Sequence, residues 1–117
     1  MRYITVPENI KIAQQPDPIP FLTLIESWTN DNKFGALGIT GTKMSIAIHN
    51  RFVNAKAGDE IPLDDKEWTT LCDVVNNPTG GYVTIVARQL MPFCDAVLEA
   101  STVSKKTISA NGKEAHP

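Results

Sequence analysis

LDDKEWTTLCDVVNNPTGGYVTIVARQLMPFCDAVLEA, residues 63–100, decides the fold. Asp64 followed three residues later by Glu67 has capping-box spacing, in which each side chain accepts from the other's backbone N–H. Leu63 and Trp68 occupy the hydrophobic-staple positions around that cap, so a helix starts here. Trp68, Leu71, Cys72 and Val75 then share one face, with Val74 at its border. Asn76-Asn77-Pro78-Thr79-Gly80-Gly81 stops the helix and turns the chain. From Tyr82 to Glu99 a second apolar arc, Val83, Val86, Leu90, Phe93, Cys94 and Val97, lies opposite a polar wedge of Thr84, Arg88, Asp95 and Glu99. That grouping predicts one helix over 82–99, kinked at Pro92, where a backbone donor is missing. A strand through YVTIVA followed by a helix from Arg88 is the alternative, and it leaves the polar wedge unexplained.

Upstream, Phe21, Leu24, Ile25 and Trp28 recur at i, i+3, i+4 and i+7, which predicts a core-facing helix over 21–30 with Pro20 at its first position. Lys43–Ala55 reads as a third helix capped by Thr42, with Met44, Ala47, Ile48, Phe52 and Ala55 on one stripe. Ile46 and Val53 fall on its opposite face. Such a helix is covered twice, either within the chain or by another chain. The segment between, Asn30–Gly41, reads as a glycine-rich loop.

The N-terminal segment Met1–Gln15 alternates around Pro7-Glu8-Asn9, as a short hairpin or a single arm would. Pro16, Pro18 and Pro20 then enforce an extended connection. Residues 56–62 connect the third and fourth helices, with Gly58 ending the third, and are able to run briefly as a strand beside the N-terminal segment. The expectation is a mainly α chain, with a small α+β variant left open. It has about four helices, a short N-terminal β hairpin or arm, and a single domain over 1–100 that includes the arm and Pro-rich connection of 1–20. Residues 101–117 are polar and read as a flexible tail.

A chain of 117 residues with 42% hydrophobic and 21% charged side chains can form one core without staples. Cys72 and Cys94 each sit in an apolar stripe and read as buried thiols, consistent with a reducing, cytoplasmic setting. The start MRYITVPEN has no apolar run behind a basic head, and no stretch is long and apolar enough for a membrane helix. No membrane partner is expected.

Candidate chemistry is sparse. Gly35, Gly38 and Gly41 are spaced unlike either phosphate-binding glycine motif, and Gly41-Thr42-Lys43 is in the wrong order for a phosphate loop. His49 with Ser45 at i, i+4 could set a hydroxyl beside a base, with Asp59 as a distant acid, which makes a small hydrolase-like enzyme one alternative. Asp64, Asp65 and Glu67 are accounted for by helix-start chemistry, so no metal and no cofactor are expected. A nucleic-acid partner is disfavoured because the second helix of the pair offers a groove only Arg88 and Gln89. An acidic inhibitor or mimic acting on a nucleic-acid-binding protein is a further alternative, with six acidic and two basic side chains over 64–100.

Protein recognition remains, through a protein partner or self-association. Its candidate residues are Phe52 on the two-faced helix, Tyr82 after the glycine turn, and Arg88, Met91 and Asp95 on the polar wedge. GDEIPLDDKEWTTL (58–71), with NPTGGY (77–82) and ARQLMPFCDAVLEA (87–100), resembles small phage-encoded or accessory proteins in general style. The likeness assigns no functional residue. The function expected is a small non-catalytic interaction, adaptor or assembly protein, cytoplasmic or, if phage-encoded, in the virion.

Overall fold

The computed structural model describes residues 1–13 and 15–104. The chain is mainly α with a small β element. In order, the elements are β1 (Arg2–Thr5), α1 (Phe21–Thr29), α2 (Asn32–Gly35), α3 (Gly38–Phe52), β2 (Glu60–Leu63), α4 (Asp65–Asn76), α5 (Thr84–Gln89) and α6 (Met91–Leu98).

Phe21, at the first position of α1, sits at the centre of the core. Its ring meets Phe93 of α6 at 5.3 Å, Phe52 of α3 at 5.7 Å and Trp28 of α1 at 6.3 Å, each edge to face. That is the geometry the aromatic quadrupole favours. Pro20 is the cap rather than the first helical residue, so its missing N–H leaves no hydrogen bond unmade.

The N-terminal arm finds its partner far along the chain. β1 pairs antiparallel with β2, Arg2 opposite Leu63 and Ile4 opposite Ile61. Ile4 and Leu63 are fully buried beneath the ribbon. Pro62 is tolerated because its neighbour Tyr3 turns its own N–H and C=O the other way, onto Ser101, at 2.7 and 3.1 Å. A third strand-like contact is thus made by the residue at which the sequence places the start of the tail. Ser104 follows it and donates from Oγ to Glu60 at 3.0 Å. The rest of the expected tail, with His116, lies outside the described residues.

The capping box forms as its spacing requires. Asp64 accepts from the Glu67 N–H at 2.7 Å, and Glu67 Oε1 accepts from the Asp64 N–H at 2.9 Å. The same oxygen takes Nη1 of Arg51 at 2.5 Å, and the Glu67 residue is only 4% exposed. One buried carboxylate therefore starts α4 and ties it to the last turn of α3. Trp68 then bridges α4 to α6 by donating to the Val97 carbonyl at 2.8 Å, with the Arg2 guanidinium 4.1 Å above its ring.

Two expected helices have different bounds. α3 begins at Gly38 and ends at Phe52, so Thr42 is an interior residue bonding back to the Gly38 carbonyl and caps nothing. The reason is a tight corner. The supposed loop contains α2, and Gly38 at φ +73° reverses the chain into α3. The second arc, expected as one kinked helix over 82–99, is two helices. Leu90 at φ −99°, ψ 6° closes α5 and opens α6, and Pro92 lies in the first turn of α6, where its missing donor is harmless. Tyr82 and Val83 precede α5, which leaves Val83 exposed rather than on the core arc.

Candidate functional site

α3 presents two apolar faces. Met44, Ile48 and Phe52 enter the core, while Ile39, Ile46 and Val53 remain 72%, 55% and 46% exposed. The outward three are seven residues apart, so they stand nearly in line over roughly 20 Å of helix. No Asp or Glu occurs between Asp31 and Asp59, while Lys33, Lys43, Arg51 and Lys56 fall within that stretch. Arg51 is taken by Glu67 and Lys33 by Asp73, but Lys43 and Lys56 form no ion pair among the described residues. The outer face of α3 is therefore apolar, with no carboxylate of its own, and Glu26 of α1 shares a depression with Ile46 at its edge.

The second surface is the corner of α5 and α6. Gly80 and Gly81, both at positive φ, turn the chain out of α4. Tyr82 fixes the path into α5: its hydroxyl donates to the Val75 carbonyl at 2.6 Å and accepts from the Trp28 indole N–H at 3.1 Å. That latch holds one end of the segment. Beyond it α5 buries none of its residues, and Ile85 is 61% exposed. An apolar groove of about 200 Å³ runs beneath, lined by Leu24, Val83, Val86, Ala87, Leu90 and Cys94 among others. Arg88 and Met91 are exposed along the outside, and Asp95 is half-buried.

Of the residues singled out in the sequence, Arg88 lies on α5 and Met91 and Asp95 on α6, either side of the break at Leu90. Asp95 lines a separate depression with Tyr3, Thr5 and Ser101, while Tyr82 braces the entry to α5. Phe52 does not belong with them. It is 2% exposed, packed on Phe21 inside the core, and has no surface to offer. The residues that take its place on α3 are Ile46 and Val53, whose position opposite the core stripe was visible in the sequence, and Ile39, hidden in the stretch read as a loop.

Burial raises the Tyr82 phenol from 10.0 to about 12, with the Trp28 N–H pulling the other way. Because the folded value is the higher one, this contribution to stability is complete below pH 10 and disappears as the pH climbs toward 12. Replacing Tyr82 by Phe removes both hydrogen bonds and leaves the part-buried Trp28 N–H and Val75 carbonyl without this partner. The expected loss is about 1–2 kcal/mol in urea unfolding. An unchanged midpoint would show that the latch contributes nothing.

The two thiols are poorly suited to chemistry. Burial pushes Cys72 up to about 11 against the opposing pull of Arg2, and burial likewise raises Cys94. Both are protonated at neutral pH, so neither is a ready nucleophile. Among the described residues no three His, Cys, Asp or Glu side chains converge on a point where a metal could sit.

His49 and Ser45 share a depression of about 220 Å³, with Glu26 also on its wall. Asp59 is elsewhere, accepting from the Lys56 N–H at 2.9 Å in its own loop. Ser45 Oγ donates to the Thr42 carbonyl at 2.7 Å, so its proton is directed at the backbone instead of the imidazole. The fold brings a hydroxyl, an imidazole and a carboxylate to one shallow wall without the hydrogen bonds that would couple them. Among the described residues no helix is long and apolar enough to cross a membrane. No protein-family model, curated protein or solved structure matches the chain.

Proposed function

We propose that this chain is a small non-catalytic adaptor or assembly protein that acts by binding another protein across the outer face of α3. One observation carries the reading. A single helix buries Met44, Ile48 and Phe52 on one side and leaves Ile39, Ile46 and Val53 in line on the other. Isolated exposed apolar residues are ordinary, but an aligned set on one rigid helix is the pattern of a helix awaiting a partner. Lys43 on α3 and the absence of carboxylates on that helix suit an amphipathic partner helix that sets acidic residues opposite Lys43. The cellular setting belongs to the same reading, cytoplasmic or, for a phage-encoded chain, within the particle.

The test compares wild type with Ile46→Glu as bait for proteins of its native source. Ile46 is exposed, so the substitution is expected to leave the unfolding midpoint within about 0.5 kcal/mol of wild type. It places a negative charge on the apolar stripe, and binding of an acidic partner is expected to fall at least about tenfold. A partner retained equally by both proteins would refute this use of α3.

A hydrolase-like alternative is favoured only by the wall that His49 shares with Ser45 and Glu26. Its test is direct: any hydrolytic activity found in the purified protein should vanish in His49→Ala if that wall is responsible.

A further inference from the structure

We infer that the depression between α1 and α3 binds a guanidinium group. Glu26, Thr29 and Asn30 from the end of α1 line it with Ser45, Ile46 and His49 of α3, around about 220 Å³. What this wall offers an occupant follows from where its protons are spent. Thr29 Oγ1 donates to the Ile25 carbonyl and Ser45 Oγ to the Thr42 carbonyl, each at 2.7 Å. Asn30 donates through Nδ2 to the Glu26 carbonyl at 2.8 Å, which leaves its amide oxygen. Both hydroxyl protons are thus committed to the backbone, and their oxygens have only lone pairs left to give. The Glu26 carboxylate accepts only, and among the described residues it forms no ion pair or side-chain hydrogen bond. Such a wall is satisfied by a group that donates and does not accept.

Charge points the same way. Glu26 is the acid on the wall, and the last turn of α1 carries no basic residue. The partial negative charge at the carbonyl end of that helix therefore meets no cation of its own. A metal ion is a poor fit, since among the described residues no three His, Cys, Asp or Glu side chains converge. An ammonium is a compact point charge that wants its acceptors gathered around one spot. The acceptors here are divided between two helices, Glu26 and Asn30 on one side and Ser45 on the other. A planar guanidinium, with five donors spread around its edge, suits that division.

An arginine side chain of a bound protein and free arginine both carry the group. The inference does not rest on the partner proposed for α3, and its test uses no partner protein. Failure of one therefore says nothing against the other.

Titration of the full chain with N-acetylarginine amide, followed through its backbone amide NMR shifts, tests the site. Saturable shifts are expected at Glu26, Asn30, Ser45 and Ile46, with a Kd on the order of 1 mM, as suits one charged group in an open depression. N-acetylcitrulline amide, similar in shape but uncharged, should bind at least about tenfold more weakly, and N-acetyllysine amide at least about threefold. Glu26 is exposed and unpaired, so Glu26→Gln should weaken the arginine probe at least about tenfold with the thermal midpoint unmoved. Free L-arginine that binds no tighter than the capped amide assigns the site to a protein side chain; tighter binding assigns it to the free amino acid. Absence of saturable shifts at these residues overturns the proposal. So does a citrulline or lysine probe that binds as well as arginine, or a Glu26→Gln variant that binds as wild type does.

Discussion

Gly41→Ala is expected to destabilise the protein by about 3 kcal/mol or more, lowering the thermal midpoint by about 12 °C or more. Glycine-to-alanine changes inside helices ordinarily stabilise, by roughly 1 kcal/mol. The sign is reversed here because of the atoms beside the glycine. A Cβ at position 41 would stand 1.9 Å from the Phe34 carbonyl oxygen and 2.7 Å from the Leu37 Cβ. Neither atom is the end of a flexible side chain, so relief requires the α2 backbone to move away from α3. Phe34 is 1% exposed and would be drawn out of the core with it. Gly35→Ala is the control, since a Cβ there meets nothing within 4 Å. It should be neutral or slightly stabilising. Equal midpoints for Gly41→Ala and wild type would mean that the corner between α2 and α3 yields freely, despite the close approach of the two backbones.

The same corner shows why parts of this fold were legible in the sequence and others were not. α4 could be read residue by residue because its capping box and staple are local: Asp64, Glu67, Leu63 and Trp68 act within one turn of one another. The role of Gly41 depends on a carbonyl seven residues back in a different helix, and no spacing rule distinguishes it from a helix-start glycine. β1 could be recognised as extended, and pairing with the segment before α4 was an open option. Its register with residues 60–63 is fixed only when Ile4 and Leu63 both enter the core. The α5–α6 break had a weak local signal in the β-branched run of YVTIVA, which helical periodicity outweighs on paper. In the folded chain the Tyr82 latch to Trp28 and Val75 fixes the entry to α5, and Leu90, two residues before Pro92, ends it.

The candidate site follows the same division. Arg88, Met91 and Asp95 form one polar wedge only on the single helix that periodicity suggests, and the break at Leu90 divides them between α5 and α6. Phe52 lies on the stripe of Met44 and Ile48, and that stripe faces inward. The outward residues on α3 are those that do not fit the core spacing. Ile46 and Val53 are among them, and Ile39 joins them only once the helix is known to begin at Gly38.

Truncating Phe21 to alanine should be the most damaging single change to the core, at about 4–5 kcal/mol. The ring is 2% exposed and forms edge-to-face pairs with Trp28, Phe52 and Phe93, so its loss opens a cavity where α1, α3 and α6 meet. Set against the roughly 5–15 kcal/mol that holds a domain folded, this approaches the lower bound of total stability. Phe21→Leu, which keeps much of the volume but not the quadrupole, should lose considerably less and remain folded for urea titration. Phe52→Ala should also be costly, and combined with Phe21→Ala it should fall short of the sum by about 0.5–1.5 kcal/mol, the coupling of one aromatic pair. Strict additivity would mean that the two rings do not support each other. The cycle also separates scaffold from surface on α3. Substitution at Phe52 should abolish binding only by lowering the unfolding midpoint, whereas Ile46→Glu should abolish it with the midpoint unmoved. One helix, read from its two sides, thus distinguishes a residue that makes the fold from one that uses it.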